Sequence, residues 1–266
     1  MKAVAGFYQF NPAFGEKERN IEKVRDALCS IEADLVVLPE FFATGYQFVS
    51  SEEVSELAEA VPGGMTTGIL VELSRKKNMY IIAGLAERAG DAFFNSAVIT
   101  GPEGFMGCYR KTHLFYEEKL FFSPGDNGFR VWKTGIGNIG VMICFDWFFP
   151  ESMRTLALMG ADIIAHPSNL VLQHCPGAMP VRCLENRVYA ITANRTGKED
   201  RKDGDPLEFI GMSQVVAPSG EVVIRASGDE EVLLVTEVDA EESKNKQLNE
   251  FNDLLKDRCP DLYRLR

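Results

Sequence analysis

Three reactive side chains of this sequence each stand at the end of an apolar segment that is typical of a buried β-strand. Glu40 follows the run Leu35–Leu38, Lys111 ends a β-like run, and Cys144 ends the run Gly140–Cys144. Open α/β sheets bind their ligands at the ends of their strands. The sequence therefore predicts that the glutamate, the lysine and the cysteine act in one site.

Together these side chains can carry out nucleophilic catalysis. A thiol is a competent nucleophile only as a thiolate, so Cys144 needs a base. Glu40 is followed by two phenylalanines, and the poor solvation expected there raises its pKa toward that of a useful base. Lys111 can stabilise the thiolate and then the oxyanion of a tetrahedral intermediate. The product is a thioester that water cleaves, and this cycle needs neither a metal nor an organic cofactor.

Each of these residues also has a structural interpretation when it is considered alone. Glu40 can cap a loop at a strand end, Lys111 can belong to a basic surface patch, and Cys144 can be a buried structural cysteine. A strand, a turn and a helix are predicted around Cys144, which is the setting of other nucleophile turns. There the next backbone N–H serves as an oxyanion donor.

The elements that position these residues alternate between β and α patterns, which favours an α/β fold. The first half contains, in order, strand Lys2–Phe10, a helix carrying Ile21 to Ile31, a strand ending near Glu40, helices Ser51–Ala60 and Thr66–Lys77, strand Met79–Ala86, and strands Asn95–Thr100 and Phe105–Lys111. The second half contains strand Gly140–Cys144, helix Ser152–Gly160, strand Ala161–Ala165, helix Gly177–Arg187, strand Val188–Asn194, and strands Ser213–Ala217 and Glu221–Ala226.

Two hairpins about half a chain apart resemble one another. The first hairpin turns at 101–104, within the stretch SAVITGPEG. The second turns at 218–220, within the similar stretch SQVVAPSG. The echo indicates two similar halves within one domain, and chance similarity is the alternative. Residues Thr196–Pro206 are predicted to form a mobile polar loop, and Ala240–Lys256 a polar helical tail.

Charge and cysteine content exclude several classes of function. The 266 residues carry 28 basic and 39 acidic side chains, a net charge of −11, which disfavours binding to nucleic acid or to an anionic membrane surface. None of the six cysteines forms a C-x-x-C pair and no zinc-ligand spacing occurs, so no metal site is expected. No secretory signal and no membrane span is recognised, which predicts a cytoplasmic protein.

Four segments, in this order, extend over nearly the whole chain: LVVLPEFFATGY, YRKTHLFYEEKLFFSPGD, GVMICFDWFFPESMRTLALMGADIIAHPSN and PVRCLENRVYAITANR. The set resembles the nitrilase superfamily of carbon–nitrogen hydrolases. The resemblance implies a Glu–Lys–Cys triad at Glu40, Lys111 and Cys144, and a four-layer αββα sandwich. It also implies a further glutamate shortly after the lysine, at Glu118 or, in the neighbouring register, Glu117.

The same resemblance implies dimers that pair their sheets into a longer assembly. We expect one carbon–nitrogen hydrolase domain over residues 1–266, with the C-terminal tail, residues 240–266, packing at a dimer interface. The expected partners are water and a small amide or nitrile, in a homodimer or higher homo-oligomer.

Candidate substrate contacts come from the same segments and are Tyr46, His113, Phe145, Trp147 and Asn169. His113 points to the side of Lys111 if the strand continues; a core histidine is the alternative. Asn169 follows another buried strand. Arg182 shares one helical face with Glu185, Asn186 and Tyr189, either to anchor an anionic substrate end or to form a polar packing network.

Together with the triad, the resemblance implies a hydrolase of small non-peptide C–N bonds. The wording Cys144-Phe145-Asp146, where true nitrilases often have C-W-E, favours an aliphatic amidase that releases ammonia through a cysteine thioester. A nitrilase and an N-carbamoyl amidohydrolase are the alternatives within the family. Outside it, the alternatives are a cysteine protease that pairs Cys144 with His113 and a non-catalytic binding module on the same fold.

Overall fold

The structure, a computed structural model, describes residues 2–263. Its strands are, in chain order, β1 (Lys2–Gln9), β2 (Leu35–Val37), β3 (Tyr80–Ala89), β4 (Ala92–Gly101), β5 (Gly104–Arg110), β6 (Val131–Thr134), β7 (Gly137–Val141), β8 (Ile163–Pro167), β9 (Tyr189–Ala193), β10 (Lys198–Glu199), β11 (Leu207–Glu208), β12 (Gln214–Val216), β13 (Val222–Arg225) and β14 (Val232–Asp239). Its α-helices are α1 (Lys17–Cys29), α2 (Ser51–Leu57), α3 (Met65–Lys77), α4 (Glu118–Phe121), α5 (Pro150–Leu158), α6 (Cys175–Asn186) and α7 (Ala240–Lys244).

Twelve of these strands form two six-stranded sheets, in the orders β14-β1-β2-β3-β4-β5 and β13-β12-β9-β8-β7-β6. In each sheet three neighbouring strands run parallel, β1-β2-β3 in the first and β7-β8-β9 in the second. An antiparallel hairpin follows on one side, β4-β5 or β12-β13. The two hairpins that resemble one another in sequence therefore occupy equivalent places in the two sheets.

Side chains of the parallel strands alternate between two cores, because both faces of the first sheet are covered. On β2, Leu35 and Val37 belong to the core between the sheets, whereas Val36 belongs to the core under α1 and α3. On the outer face of the second sheet, α5 and α6 contribute Leu156 and Met179. The order of layers is helices, sheet, sheet, helices, which confirms the predicted αββα sandwich.

The C-terminal tail is not the helix that its polarity predicts. Helix α7 ends at Lys244. Beyond it, the side-chain oxygen of Asn249 accepts from the backbone N–H of residues 251 and 252, and that of Asp253 accepts from 255 and 256. Such local bonds compete with the helical pattern and favour turns. The prediction of a helix over 240–256 was therefore wrong beyond its first turn, and residues 264–266 of the predicted tail lie outside the described residues.

The polar loop that follows β9 is bound to the rest of the protein by an ion pair and hydrogen bonds. Glu199 is buried, Arg201 forms a bidentate ion pair with Glu53, and Gln47 Nε2 donates to the carbonyl of Asp205 at 2.7 Å. The high polarity of this segment thus reflects buried and paired charges as well as exposure. Among residues 2–263, no helix has the length and apolarity needed to cross a membrane.

Candidate active site

The two sheets bring Glu40, Lys111 and Cys144 together from three strand ends. Glu40 lies after β2, Lys111 directly after β5, and Cys144 beyond the end of β7. The glutamate and the lysine are fully buried, and the cysteine is 4% exposed. Lys111 Nζ lies 2.8 Å from Glu40 Oε1, although the two residues are 71 positions apart in the sequence.

A second carboxylate completes the environment of the lysine. Lys111 Nζ donates to both oxygens of Glu118, at 2.7 and 2.9 Å. Glu117 instead forms an ion pair with Lys202 and points away from this cluster. The structure therefore places Glu118, and not Glu117, against the lysine. When both carboxylates are ionised, the buried cluster carries one negative charge in excess of the ammonium.

One oxygen of Glu40 is free to accept a proton. Oε1 of Glu40 accepts from Lys111 Nζ and from Asn95 Nδ2, the latter at 2.6 Å. Oε2 is buried and has no hydrogen-bond partner among the described residues. A buried acceptor without a partner costs free energy, so this oxygen is available to a proton donor.

Gly84 allows the backbone of Glu40 to sit where it does. A Cβ atom at Gly84 on β3 would lie 2.4 Å from Glu40 Cα and 3.0 Å from the backbone nitrogen of Phe41. Only a residue without a side chain permits this approach. The glycine inside the apolar run of β3 was thus a readable signal of close backbone contact, which the sequence analysis did not use.

Cys144 occupies a constrained turn. Its φ is +41°, in the left-handed region that L-residues rarely adopt, and a 3₁₀ turn over Cys144–Phe148 begins there. The buried carboxylate of Asp146 accepts from the backbone N–H of Ile143 at 2.9 Å and from Tyr109 Oη at 2.8 Å. The strained conformation persists because the surrounding bonds fix it, as at other functional sites.

His166 holds the same turn from the opposite side. Its Nε2 lies 2.9 Å from the backbone carbonyl oxygen of Cys144, and its Nδ1 lies 3.0 Å from Thr192 Oγ1. Since a carbonyl only accepts, Nε2 carries the proton. Burial lowers the pKa of His166 to about 4, so the ring is neutral near pH 7 and acts as a fixed donor.

Burial and charge set the resting protonation of the three central groups. Burial raises the pKa of the Cys144 thiol, Glu40 raises it further, and Lys111 opposes them. Burial also raises the pKa of Glu40 against the opposing effect of Lys111. For Lys111, burial acts to lower the pKa, but Glu118 and Glu40 outweigh it and the pKa is raised. A neutral thiol thus lies beside a charged lysine and a glutamate suited to receive a proton.

The thiol borders a small cleft. Its empty volume is ≈ 290 Å³, and its walls are Phe115, Phe145, Trp147, Phe148, Asn169 and residues 170–172. Of the predicted substrate contacts, Phe145, Trp147 and Asn169 line this cleft. Tyr46 lines a second opening together with Glu118 and donates to Glu118 Oε1 at 2.7 Å.

His113 lies outside this arrangement. Strand β5 ends at Arg110, so the alternation that would direct His113 to the side of Lys111 does not continue. Its Nδ1 lies 2.7 Å from Asp146 Oδ1, its ring stacks on Phe149 with centroids 3.8 Å apart, and it lines a separate cavity of ≈ 750 Å³. The structure thus places His113 beside the carboxylate that supports the cysteine turn.

Arg182 bonds to a neighbour on its own helix and to the backbone of the 3₁₀ turn that begins at Cys144. Its Nη1 lies 3.1 Å from Glu185 Oε1, and its Nε donates to the backbone carbonyl of Trp147 at 3.4 Å. It is absent from the walls of the cleft beside Cys144. This geometry is that of the polar packing network, which was one of the two interpretations left open by the sequence.

Three residues that the sequence analysis did not single out support the site, namely Asn95, Asp146 and His166. All three are fully buried polar side chains in or beside apolar strands. Buried polar groups need partners, so their position within apolar runs was the available signal. Within the described part of the chain, no group of three or more His, Cys, Asp or Glu side chains is placed to hold a metal ion.

Known proteins match this chain over nearly its full length. The family model "Carbon-nitrogen hydrolase" matches residues 4–246. A nitrilase from Pyrococcus abyssi is 51% identical over 97% of each chain. An (R)-stereoselective amidase from Pseudomonas sp. is 34% identical over 92% of this chain and 87% of its own. The crystal structure of a carbon–nitrogen hydrolase from Helicobacter pylori is 28% identical and superposes with a TM-score of 0.89 over 99% of this chain and 97% of that chain.

Proposed function

The chain belongs to the carbon–nitrogen hydrolase family, and we propose that it cleaves a small non-peptide C–N substrate through a thioester on Cys144, with release of ammonia. The observation that carries this proposal is the buried cluster of Glu40, Lys111 and Glu118 beside the thiol. It combines a free carboxylate oxygen with a fixed ammonium group. Those are the two functions that acyl transfer to a neutral thiol requires.

In the proposed cycle, Glu40 takes the thiol proton while Sγ of Cys144 attacks the substrate carbon. The charge that develops on the substrate is stabilised by the ammonium of Lys111 and by a backbone N–H at the cysteine turn. From an amide, the C–N bond breaks as Glu40 returns the proton to the leaving nitrogen, which gives ammonia and the thioester. Water then attacks the thioester while Glu40 accepts a proton from it, and Glu40 returns that proton to the sulfur as the C–S bond breaks, which releases the acid and restores the thiol.

A nitrile passes through one additional intermediate before it reaches the same thioester. Addition of the thiol to the C≡N bond gives a thioimidate, and water adds to it before ammonia leaves. The relative that is 51% identical is named a nitrilase, whereas the amidase is 34% identical. We therefore propose small aliphatic nitriles as the first substrates. Amides, which the wording Cys144-Phe145-Asp146 favours, are the second candidate.

We expect small aliphatic nitriles to be hydrolysed with a kcat/KM at least about tenfold above that of the corresponding amides, a difference of about 1.4 kcal/mol in the barrier. Ammonia release from matched nitrile and amide pairs measures this ratio, with N-carbamoyl amines as a third series. A higher kcat/KM for the amide would restore the amidase ranking. A higher value for the carbamoyl series would move the proposal to that class.

Peptides are not the proposed substrates. The cleft beside Cys144 has an empty volume of ≈ 290 Å³, and its walls are apolar apart from Asn169. His113, the candidate base of a cysteine protease, bonds to Asp146 and lines a different cavity. These two observations support a small-molecule hydrolase over a protease.

The pH dependence follows from the base. Glu40 must be ionised to accept the thiol proton, and burial raises its pKa above the ordinary value of 4.5. We therefore expect kcat/KM to fall as the pH is lowered through an apparent pKa above 4.5, which belongs to the coupled cluster rather than to one residue. A pH profile, with circular dichroism to confirm folding at each pH, measures it. A rate that stays constant down to pH 4.5 in folded protein contradicts the assignment.

A homodimer or larger assembly and a cytoplasmic location stay predictions of the sequence. Exposed apolar side chains on neighbouring helices support the assembly. Leu158 of α5 is 45% exposed, and Val181 and Leu184 of α6 are 55% and 50% exposed. Phe251 in the tail is 82% exposed, which supports the proposal that the tail also packs against a second copy.

A further inference from the structure

We propose that Glu199 is a positioning residue of the active site, which acts through Tyr46 on the carboxylate that holds Lys111. The inference rests on the proposed function, because it assigns Lys111 the task of stabilising the thiolate and the oxyanion. Glu199 lies outside the triad, on β10, in the segment that the sequence predicts as a mobile polar loop.

The carboxylate of Glu199 accepts hydrogen bonds from two successive backbone N–H groups. Its Oε2 accepts from Gln47 N at 2.6 Å and from Tyr46 N at 3.1 Å, and its Oε1 lies 3.2 Å from Tyr46 N. Gly45 makes this approach possible. Its φ is +81°, and a Cβ atom there would lie 2.8 Å from Glu199 Oε1. The segment that follows Glu40 is therefore fixed by a side chain more than 150 positions away.

Arg195 in turn holds Glu199. The guanidinium is fully buried, and its Nη1 bonds to Glu199 Oε1. Its Nη2 donates to Asn11 Oδ1 at 2.6 Å and to the carbonyl of Pro12 at 3.1 Å, and its Cζ lies 4.1 Å from the ring centroid of Phe209. A buried ion pair with this many partners has one geometry, so Glu199 presents its oxygens to the Tyr46 backbone at a fixed place.

Tyr46 connects this pair to the catalytic cluster. Its hydroxyl donates to Glu118 Oε1 at 2.7 Å, the same oxygen that accepts from Lys111 Nζ at 2.7 Å. Its ring packs edge-on against Phe209, with centroids 6.0 Å apart. Glu199 thus sets the main chain of Tyr46, and the hydroxyl of Tyr46 sets the carboxylate that orients the lysine.

The substitution Glu199→Gln separates the positioning of Tyr46 from the mere filling of a buried space. Its single carbonyl oxygen can accept from Arg195 or from the Tyr46 and Gln47 backbone, but cannot fully replace both carboxylate oxygens. Tyr46 then loses its fixed position and Lys111 is less well oriented. The thiolate of Cys144 is consequently less stabilised, although no charge in contact with the sulfur has been removed.

The test is a double-mutant cycle that combines Glu199→Gln with Tyr46→Phe. The readouts are the rate of Cys144 alkylation by iodoacetamide, followed by mass spectrometry, and kcat. We expect Glu199→Gln to slow both by about tenfold in the natural background and by less than about twofold when Tyr46→Phe is present, since residues in one hydrogen-bond network couple on this scale. Glu53→Gln, which removes the ion pair of Arg201 in the same loop while Arg201 keeps its bonds to Gln47, is the matched control and should leave both rates unchanged.

An equal loss in the two backgrounds would overturn the proposal, because a general loss of stability does not depend on the Tyr46 hydroxyl. So would a natural alkylation rate in Glu199→Gln. If that variant does not fold, Glu199→Asp, which keeps the charge and shortens the reach, enters the same cycle with the same criteria. Alkylation requires no substrate, so coupling in alkylation without any hydrolysis of nitriles or amides would reject the proposed function and leave this inference standing.

Discussion

Cys144→Ser is expected to reduce kcat by at least about 10⁴-fold, the scale on which loss of a nucleophile is felt when catalytic groups act as a unit. A serine hydroxyl fits the space of the thiol, but it is far less ionised and a poorer nucleophile toward a carbonyl or nitrile carbon. Burial already raises the pKa of the thiol, and a hydroxyl is harder still for Glu40 to deprotonate. Ammonia release and thermal unfolding of the same preparation measure the loss and the integrity of the fold.

Two other cysteines supply controls for this experiment. Cys259→Ser changes an exposed cysteine of the tail and should leave kcat per folded molecule unchanged. Cys183→Ser places a hydroxyl in the buried face of α6 and should lower stability while kcat per folded molecule is retained. Substantial turnover by Cys144→Ser would assign the cysteine a structural role, and the thioester mechanism would be abandoned.

Glu40→Gln is expected to lower the rates of both acylation and deacylation by about 10²–10⁴-fold, the usual contribution of a positioned general base. The amide keeps the shape of the side chain and its contact with Lys111, but it cannot take a proton. Folding should tolerate the change, because Lys111 retains its ion pair with Glu118. Single-turnover measurements, with the acyl-enzyme detected by mass spectrometry, separate the two steps.

Glu87→Gln is the matched control for this variant. Glu87 is also a buried glutamate on the first sheet, and its carboxylate bonds to Arg110, Ser96 and Cys108 rather than to Lys111. The same substitution there should change stability and leave both chemical steps intact. A loss of only a few-fold in both steps for Glu40→Gln would remove it from the role of base and leave its charge as a partner of Lys111.

The proposed chemistry accounts for the burial of three charged side chains, two acidic and one basic, in the interior. Removing one partner from a buried ion pair leaves an uncompensated charge, which costs several kcal/mol, while replacing the whole pair by apolar residues is often neutral. Stability therefore gives no reason to retain Glu40, Lys111 and Glu118 together. The free oxygen of Glu40 and the thiol beside it supply a chemical reason instead.

Local pattern in the sequence determined a large part of this protein. Apolar runs and their alternation identified the strands that precede Glu40, Lys111 and Cys144. This works because the pattern of apolar residues along a strand shows whether one or both of its faces are buried. The same property predicted the cysteine turn between a strand and a helix. The two similar hairpins indicated two similar halves, and in the structure they occupy equivalent places in the two sheets.

Tertiary structure decided which buried polar groups meet. Which glutamate contacts Lys111, Glu118 or Glu117, depended on where helix α4 begins. The position of His113 depended on where strand β5 ends. Glu199 reaches Tyr46 only because two segments more than 150 residues apart pack together. Local pattern shows that a polar residue is buried, but its partner is fixed by the packing of distant strands, and the need of every buried charge for a partner is satisfied only in the assembled fold.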